Sequence, residues 1–317
     1  MKRLFKMHET SIILLLFIYI ATVGMINPSF VQFNALSLVM KSSVILVVLA
    51  IGQSFVLFTK NIDVSVGSIM GISAAVCGMM LTNGYSAFLS ILAAILLGAI
   101  IGFVNGIGVA KFRVPAIIMT LGMLGIIRGS MLIFTGGKWI EDIPNDFKQL
   151  SSIVILGLPI TVWSVLLILL LLYFFLMKVP YGRYFYAVGD NEEGARLIGI
   201  PVNKVKIYAF MISGISAGLA GCIFVMNIGF VPNQTGTGLE LQVIAAAVLG
   251  GIHLKGGTGS IFGAALGALF LETISSSLVF LKIPAFWNNA ISGFLLLLII
   301  ILDSVMKKWK SERRMNL

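Results

Sequence analysis

The sequence predicts an all-α polytopic membrane protein of about ten transmembrane helices with a short cytoplasmic coupling helix. Three observations carry that prediction. The 317 residues are 59% hydrophobic and only 11% charged, with a mean hydropathy of +1.06, whereas a soluble domain carries roughly 25% charged residues. The apolar residues fall in runs, most of them near the length of about 20 residues that crosses a bilayer. The basic residues stand at the ends of those runs rather than in one groove-like patch. The net charge of +10 is therefore a topology signal and not a nucleic-acid footprint.

The first run, 11–26, follows a basic start of Lys2, Arg3 and Lys6. No A-x-A-like site comes after it, since Asn27, Pro28, Ser29 and Phe30 follow, so it reads as a retained span rather than a cleaved signal peptide. The remaining candidates are 36–59, 64–82, 87–110, 115–134, 160–177, 207–228, 239–252, 260–281 and 287–303. The first and eighth are short, and the eighth is open to being a broken or partial helix. Pro28, Pro144, Pro159, Pro180, Pro201 and Pro232 fall in the breaks. Pro115 and Pro284 stand at or just before helix starts, where a missing N–H costs little. Cys77 and Cys222 lie in apolar runs and read as buried free thiols, with neither a disulfide framework nor a metal site implied.

Ten spans place both termini on one side. With the N-terminus in the cytoplasm, 17 of the 22 Lys and Arg residues fall on the cytoplasmic side. Three, Lys138, Lys148 and Lys282, fall in outer loops, and Lys41 and Arg128 lie inside spans. That asymmetry supports even parity with both ends inside, and it puts segment 182–206 in the cytoplasm. The longest outer loop, 136–159, carries Glu141, Asp142, Asp146 and Trp139. It fits a solvated cap over the bundle and, equally, a docking ledge for an extracytoplasmic partner.

Segment 182–206, GRYFYAVGDNEEGARLIGIPVNKVK, is polar and charged inside an otherwise apolar chain. Asp190 or Asn191 suits a helix N-cap, and Glu192 and Glu193 suit the first turn, where the helix dipole favours negative charge. Gly199 and Pro201 end the helix after about two turns. Asp190, Glu192, Glu193, Arg196 and Gly199 are the residues expected to contact a soluble partner.

Elsewhere, Asp63 suits a cap of the third span with Ser65 beside it; a helix cap and a part in a cytoplasmic gate are compatible. Asn105 and Gln53 suit interhelical hydrogen bonds, with solute contact as the alternative. Lys41, Arg128 and Glu272 are charged groups inside spans, which normally pair or face water. Lys41 lies near the outer end of its span and suits snorkelling. Arg128 and Glu272 stand about two-thirds of the way along spans that run the same way, so they are expected at similar depth, paired or lining one cavity. The stretch 235–263 holds eight glycines, which permit close helix approach or a break at membrane depth. His253 and Lys255 fall at its cytoplasmic end and read as interface residues. A weak echo links the Gly67-Ser68-Ile69 and Gly259-Ser260-Ile261 stretches, as an ancient duplication would.

Segment 182–206 resembles the cytoplasmic coupling region of ABC-transporter permeases of the ribose/xylose/galactose import family. So do NIDVSVGSIM at 61–70, VNGIGVAKFRVPAIIMTLG at 104–122 and TGTGLELQVIAAAVLGGIHLKGGTGSIFG at 235–263. The resemblance runs from about residue 36 to 303, with its motifs in the family's order. It implies that 1–317 form a single transmembrane permease domain in the bacterial inner membrane. The partners it implies are a cytoplasmic ABC ATPase, an extracytoplasmic sugar-binding protein and a second permease copy or paralogue, in a lipid setting and without nucleic acid. Asp63, Ser65, Asn105, Arg128 and Glu272 are then the gate and pathway candidates.

The chain has no G-x-x-x-x-G-K-[ST] phosphate loop, so energy must come from a partner subunit or an ion gradient. No catalytic constellation, metal cluster or cofactor motif is present in the sequence, which argues against an intramembrane enzyme. The competing class is an ion-coupled secondary transporter for a small polar solute. It would want midplane carboxylates, for which Glu272 is the single deep candidate. The expected solute is a simple sugar or a sugar-like molecule, its identity left open.

Overall fold

A computed structural model describes residues 2–284 together with 287, 290, 291, 293, 294 and 297. The expected tenth span, 287–303, lies for the most part outside the described residues. The chain enters through α1 (Lys2–Ile26) and a short 3-10 turn (Pro28–Val31), then α2 (Phe33–Phe58), α3 (Val66–Thr82), α4 (Ala87–Ala110) and α5 (Ala116–Thr135). A connecting segment follows, with α6 (Asn145–Leu150) and a two-stranded hairpin, β1 (Val154–Ile155) with β2 (Leu158–Pro159). Leu156 and Gly157 turn that hairpin with positive φ at both positions, as a two-residue hairpin loop requires. Then come α7 (Ile160–Lys178), α8 (Pro180–Asp190), α9 (Glu192–Leu197), α10 (Val202–Ile228), α11 (Leu239–Leu249) and α12 (Ile261–Phe280).

Among the described residues, seven helices are long and apolar enough to cross a membrane, which makes the chain a multi-pass membrane protein. They sort by exposure. Helices α2, α10 and α12 are buried along most of their length, while α1, α4, α5 and α7 keep most of their apolar surface open. That is the inside-out distribution a lipid solvent permits, since lipid tails are as apolar as leucine. The buried helices are packed through small residues. Gly98, Gly102 and Gly106 of α4 lie directly on the backbone of Gly214, Phe210 and Ile207 of α10, and Gly218 lies on Ala94. A β-carbon at any of these would collide with backbone, so the four-residue glycine spacing brings the two helices into main-chain contact.

Two apolar helices are shorter than these seven. Helix α3 has 17 residues. Helix α11 has 11, a length of about 16 Å or half the hydrocarbon core, so the eighth expected span is a composite. Its first half is the non-helical stretch 229–238, which runs beside α3: Val231 packs at Gly78, Thr235 at Gly71 and Gly236 at Gly67. Irregular backbone at membrane depth is tolerated where protein buries it, and here its carbonyls face α3 and α5. The glycines of 235–263 thus serve both a break and close packing, with Gly250 against Gly263 and Gly267 against Ala246.

Segment 136–159 packs as a cap. Ile140, Ile143 and Phe147 join Ala74, Cys77, Leu81, Val225 and Val231 in one apolar cluster, and Ile140 and Val231 exchange backbone hydrogen bonds of 3.0 and 2.9 Å. Cys77 and Cys222 are both free and buried.

Candidate functional site

The α8–α9 segment departs from the expectation in one respect: it is two helices, not one. Val179 and Pro180 open α8, with the proline at its first turn, where the fixed φ suits a helix start. Asp190 is the last residue of α8 and not the cap of the next helix. That role falls to Asn191, whose side-chain oxygen accepts from the Gly194 N–H at 2.9 Å. Helix α9 spans six residues, shorter than the two turns expected. Gly199 ends it at φ +82°, where the Gly199 N–H reaches the Arg196 carbonyl and the Ile200 N–H the Ala195 carbonyl, the paired bonds of a Schellman stop.

Glu192 ties the segment down. Its carboxylate accepts from Lys206 Nζ at 2.7 Å, on α10, and from Arg196 at 3.3 Å, one turn along α9. Partial burial pushes its carboxyl up, yet the Lys206 bond and charge, with Arg196, hold it below the ordinary carboxylate value. Asp190, Glu193 and Arg196 are exposed. So are Leu197 and Ile198, at 89% and 76%: two large apolar side chains at the tip of a polar helix, with Ala195 beneath them buried. The sequence analysis passed over both, although Leu-Ile between two glycines in a charged loop is the signal that marks them.

The inner side of α8–α9 is fixed to three other elements. Gly189 lies on the Phe58 carbonyl at the end of α2, and that carbonyl accepts from the Gly257 N–H at 3.0 Å. Gly257 in turn packs on Asp190, and Gly256 on Lys60. Tyr186 packs on Phe58 as a tilted ring pair with centroids 4.4 Å apart. Loop 250–260, which joins α11 to α12, is therefore wedged between α8 and the end of α2. A polar pocket of about 400 Å³ opens here, lined by Lys60, Asn61, Asp190, Glu192, Glu193 and Lys206 among others.

Asp63 and Ser65 form a sealed network. Asp63 accepts from the Ser65 N–H (2.9 Å), the Ser65 hydroxyl (2.6 Å) and the Ser213 hydroxyl (3.1 Å). Asn105 Nδ2 donates to Ser65 Oγ at 2.9 Å, and the Val64 N–H donates to Thr120 Oγ1 at 3.1 Å. All five of Asp63, Ser65, Asn105, Thr120 and Ser213 are fully buried. Asp63 does not cap α3; Ser65 occupies that position, its hydroxyl turned to Asp63 rather than to the first-turn amides. The network instead fastens the break 59–65 to α4, α5 and α10. Gln53 is buried with no partner for its amide among the described residues.

Arg128 and Glu272 are not brought together. Arg128 Nη1 donates to the Thr235 carbonyl at 2.7 Å, which satisfies one group of the non-helical stretch, and Glu240 is the carboxylate whose charge reaches it. The expectation that they pair or line one cavity rested on equal depth along two helices and did not foresee that the composite span brings its own carboxylate near Arg128. Glu240 was missed because it stands at the edge of a short apolar run. Glu272 accepts from Ser276 at 3.4 Å and lines a separate pocket with Lys41 and Asn227. Lys41 donates to Ser151 Oγ at 3.2 Å, so its end of α2 lies under the 136–159 cap, opposite α9.

Residues 35–300 match the family described as "Branched-chain amino acid transport system / permease component". The chain is also similar to the autoinducer 2 import system permease protein LsrC of several bacteria. It is 46% identical to that of Escherichia coli O157:H7 over 93% of this chain and 86% of the relative. The Salmonella typhi protein is 49% identical over 92% and 83%, and that of Enterobacter sp. strain 638 is 46% identical over 97% and 90%. No solved structure matches the chain.

Proposed function

We propose that autoinducer 2 is the solute carried by this chain, which belongs to the family of permease components described for branched-chain amino acid transport systems. It is the membrane subunit of an ABC importer for a sugar-like solute and not an enzyme. The choice of solute follows relatives at 46–50% identity across most of their length, a narrower likeness than membership of a broad family. An ATPase binds the α9 side, and a substrate-binding protein delivers solute at the opposite side. A second copy or a paralogue completes the pathway, and the open apolar faces of α1 and α7 meet lipid. Both termini and α9 face the cytoplasm of the bacterial inner membrane, as the lysine and arginine distribution supports, and 1–317 act as one permease domain.

The observation that carries the coupling role is the exposed tip of α9 backed by a rigid base. Leu197 and Ile198 present an apolar knob ringed by Asp190, Glu193 and Arg196, the anatomy of an interface core with a polar rim. Behind the knob, Gly189, Phe58 and Gly257 make main-chain contact, and Glu192 grips Lys206. Displacement of α9 by the ATPase is thereby transmitted to α2, α10 and loop 250–260 together. The Asp63 network holds the break 59–65 at the gate, and Arg128 holds the non-helical half of the eighth span, so both respond to the same movement.

The test is substitution at Glu193 and Gly199 in the assembled transporter. Loss of ATPase association or of substrate-stimulated hydrolysis is expected, and survival of both overturns the assignment. Uptake into vesicles should stop when ATP is withdrawn and survive an uncoupler; the reverse would identify ion coupling.

A further inference from the structure

We infer that the pocket between α2, α10, α11 and α12 is this chain's own contact site for a small, neutral, hydroxyl-rich solute, an inference that rests on the permease reading. The pocket has a volume of about 370 Å³. Lys41, Ser42, Phe224, Asn227, Leu239 and Glu272 contribute to its lining. Mostly apolar walls with a few convergent polar groups, set between helices of a bundle, are the usual form of a small-molecule site.

Three polar side chains, Lys41, Asn227 and Glu272, line it without bonding one another among the described residues. Both side-chain polar atoms of Asn227 are buried and lack a hydrogen-bond partner among the described residues, a state that costs about 1–3 kcal/mol per group in a protein interior. Lys41 spends one of its three N–H bonds on Ser151, and Glu272 receives one long bond, from Ser276 at 3.4 Å. Lys41 and Glu272 form no ion pair among the described residues. Charged groups at membrane depth pair or face water or a ligand. Here a cation and a carboxylate face one cavity, so a solute carrying charge of a single sign would meet repulsion from one of them. A hydroxyl both donates and accepts, and vicinal hydroxyls can bridge Lys41, Asn227 and Glu272 at once. Phe224 offers the apolar face on which the C–H side of such a molecule rests.

The position fits loading. Lys41 ties the pocket to the 136–159 cap, at the end of the bundle opposite α9. Leu239, the first residue of α11, forms part of its wall. The other end of α11 runs into loop 250–260, whose Gly256 and Gly257 press on Lys60 and Asp190. One half-helix thus connects the solute pocket to the coupling face, so a movement of α9 reshapes the wall at Leu239.

The experiment uses the reconstituted transporter with its ATPase and binding protein, and reads uptake of labelled autoinducer 2 and, separately, of ribose. Asn227→Leu and Glu272→Gln should each lower the initial rate at least tenfold, while Leu167→Ala, on the open apolar face of α7, keeps the parent rate. Uptake within twofold of the parent in both pocket variants overturns the site. A second measurement is independent of transport and of how well Asn227→Leu folds. Asn227→Cys is modified by methyl methanethiosulfonate in the intact complex, Cys77 and Cys222 being buried. Either solute should slow that modification at least threefold, and no protection by either overturns the site. A parent transporter that takes up neither solute contradicts the solute assignment, and the protection measurement then decides the pocket on its own.

Discussion

Gly189 rests on the main-chain carbonyl of Phe58 with no room for a β-carbon. The same carbonyl accepts from the Gly257 N–H, so three elements meet at one oxygen. Gly189→Ala must push α8 off α2 or break that hydrogen bond. A cost of about 1–3 kcal/mol is expected, read as a lower melting temperature in detergent together with weaker coupling of hydrolysis to uptake. Gly199→Ala is the contrast. Among the described residues nothing packs near Gly199, but its φ is +82°, so the penalty there is the left-handed backbone, about 1 kcal/mol, and Gly199→Asn should recover part of it.

The exposed pair Leu197 and Ile198 should govern attachment rather than folding. Leu197→Asp with Ile198→Asp places charge on side chains that are 89% and 76% exposed. The melting temperature of the isolated chain should stay within a degree or two, because surface substitutions away from packed features change stability by about 0.5 kcal/mol or less. Co-purification with the ATPase should be lost. A variant that still co-purifies with it would move the contact elsewhere on α8–α9.

Glu192 predicts a pH dependence of known sign. Its carboxyl titrates lower in the folded chain than in the unfolded one. Its contribution is therefore complete above the ordinary carboxylate value and is lost as pH falls through the depressed folded one. The side chain is 44% exposed, so solvent screening limits the pair to about 1 kcal/mol at most. Melting curves of parent and Glu192→Gln should differ at neutral pH and converge in acid, and 1 M salt should shrink the difference.

Asp63 accepts three hydrogen bonds with no exposed surface. Asp63→Ala leaves the Ser65 N–H and two hydroxyls without their acceptor, at about 1–3 kcal/mol for a buried group left unpaired. The break 59–65 should loosen first, seen as faster amide exchange at Val64 and Ser65. Asp63→Asn keeps one acceptor oxygen and should cost less.

Much of this architecture was legible in the sequence, and the parts that were not share a cause. Apolar runs with prolines in their breaks located α2, α4, α5, α7, α10 and α12, because lipid enforces length and composition. Asn191, Glu192 and Gly199 announced α9, because capping chemistry is local. The α8 helix was illegible, since Tyr181, Phe185 and Val188 give a short periodicity inside a polar stretch. Asn227 and Glu240 were illegible for a different reason. Each sits at the edge of an apolar run, and only the path of the non-helical stretch beside α3 shows that it lies within the bundle. Arg128 and Glu272, expected to pair or line one cavity, take other partners on the same ground, because depth along a helix says nothing about which neighbour a side chain meets.

The α4–α10 seam sets where this bundle can bend. Gly98, Gly102 and Gly214 bring main chain onto main chain, so at these positions no side chain stands between the helices to rearrange as one slides past the other. The two helices form a spine that turns as one piece. Shape change is then forced into the joints around it: the break at 59–65, the unwound approach to α11 and the loop that follows. A substitution that thickened this spine would part the two helices without touching the tip of α9 and should still alter the transporter's stroke.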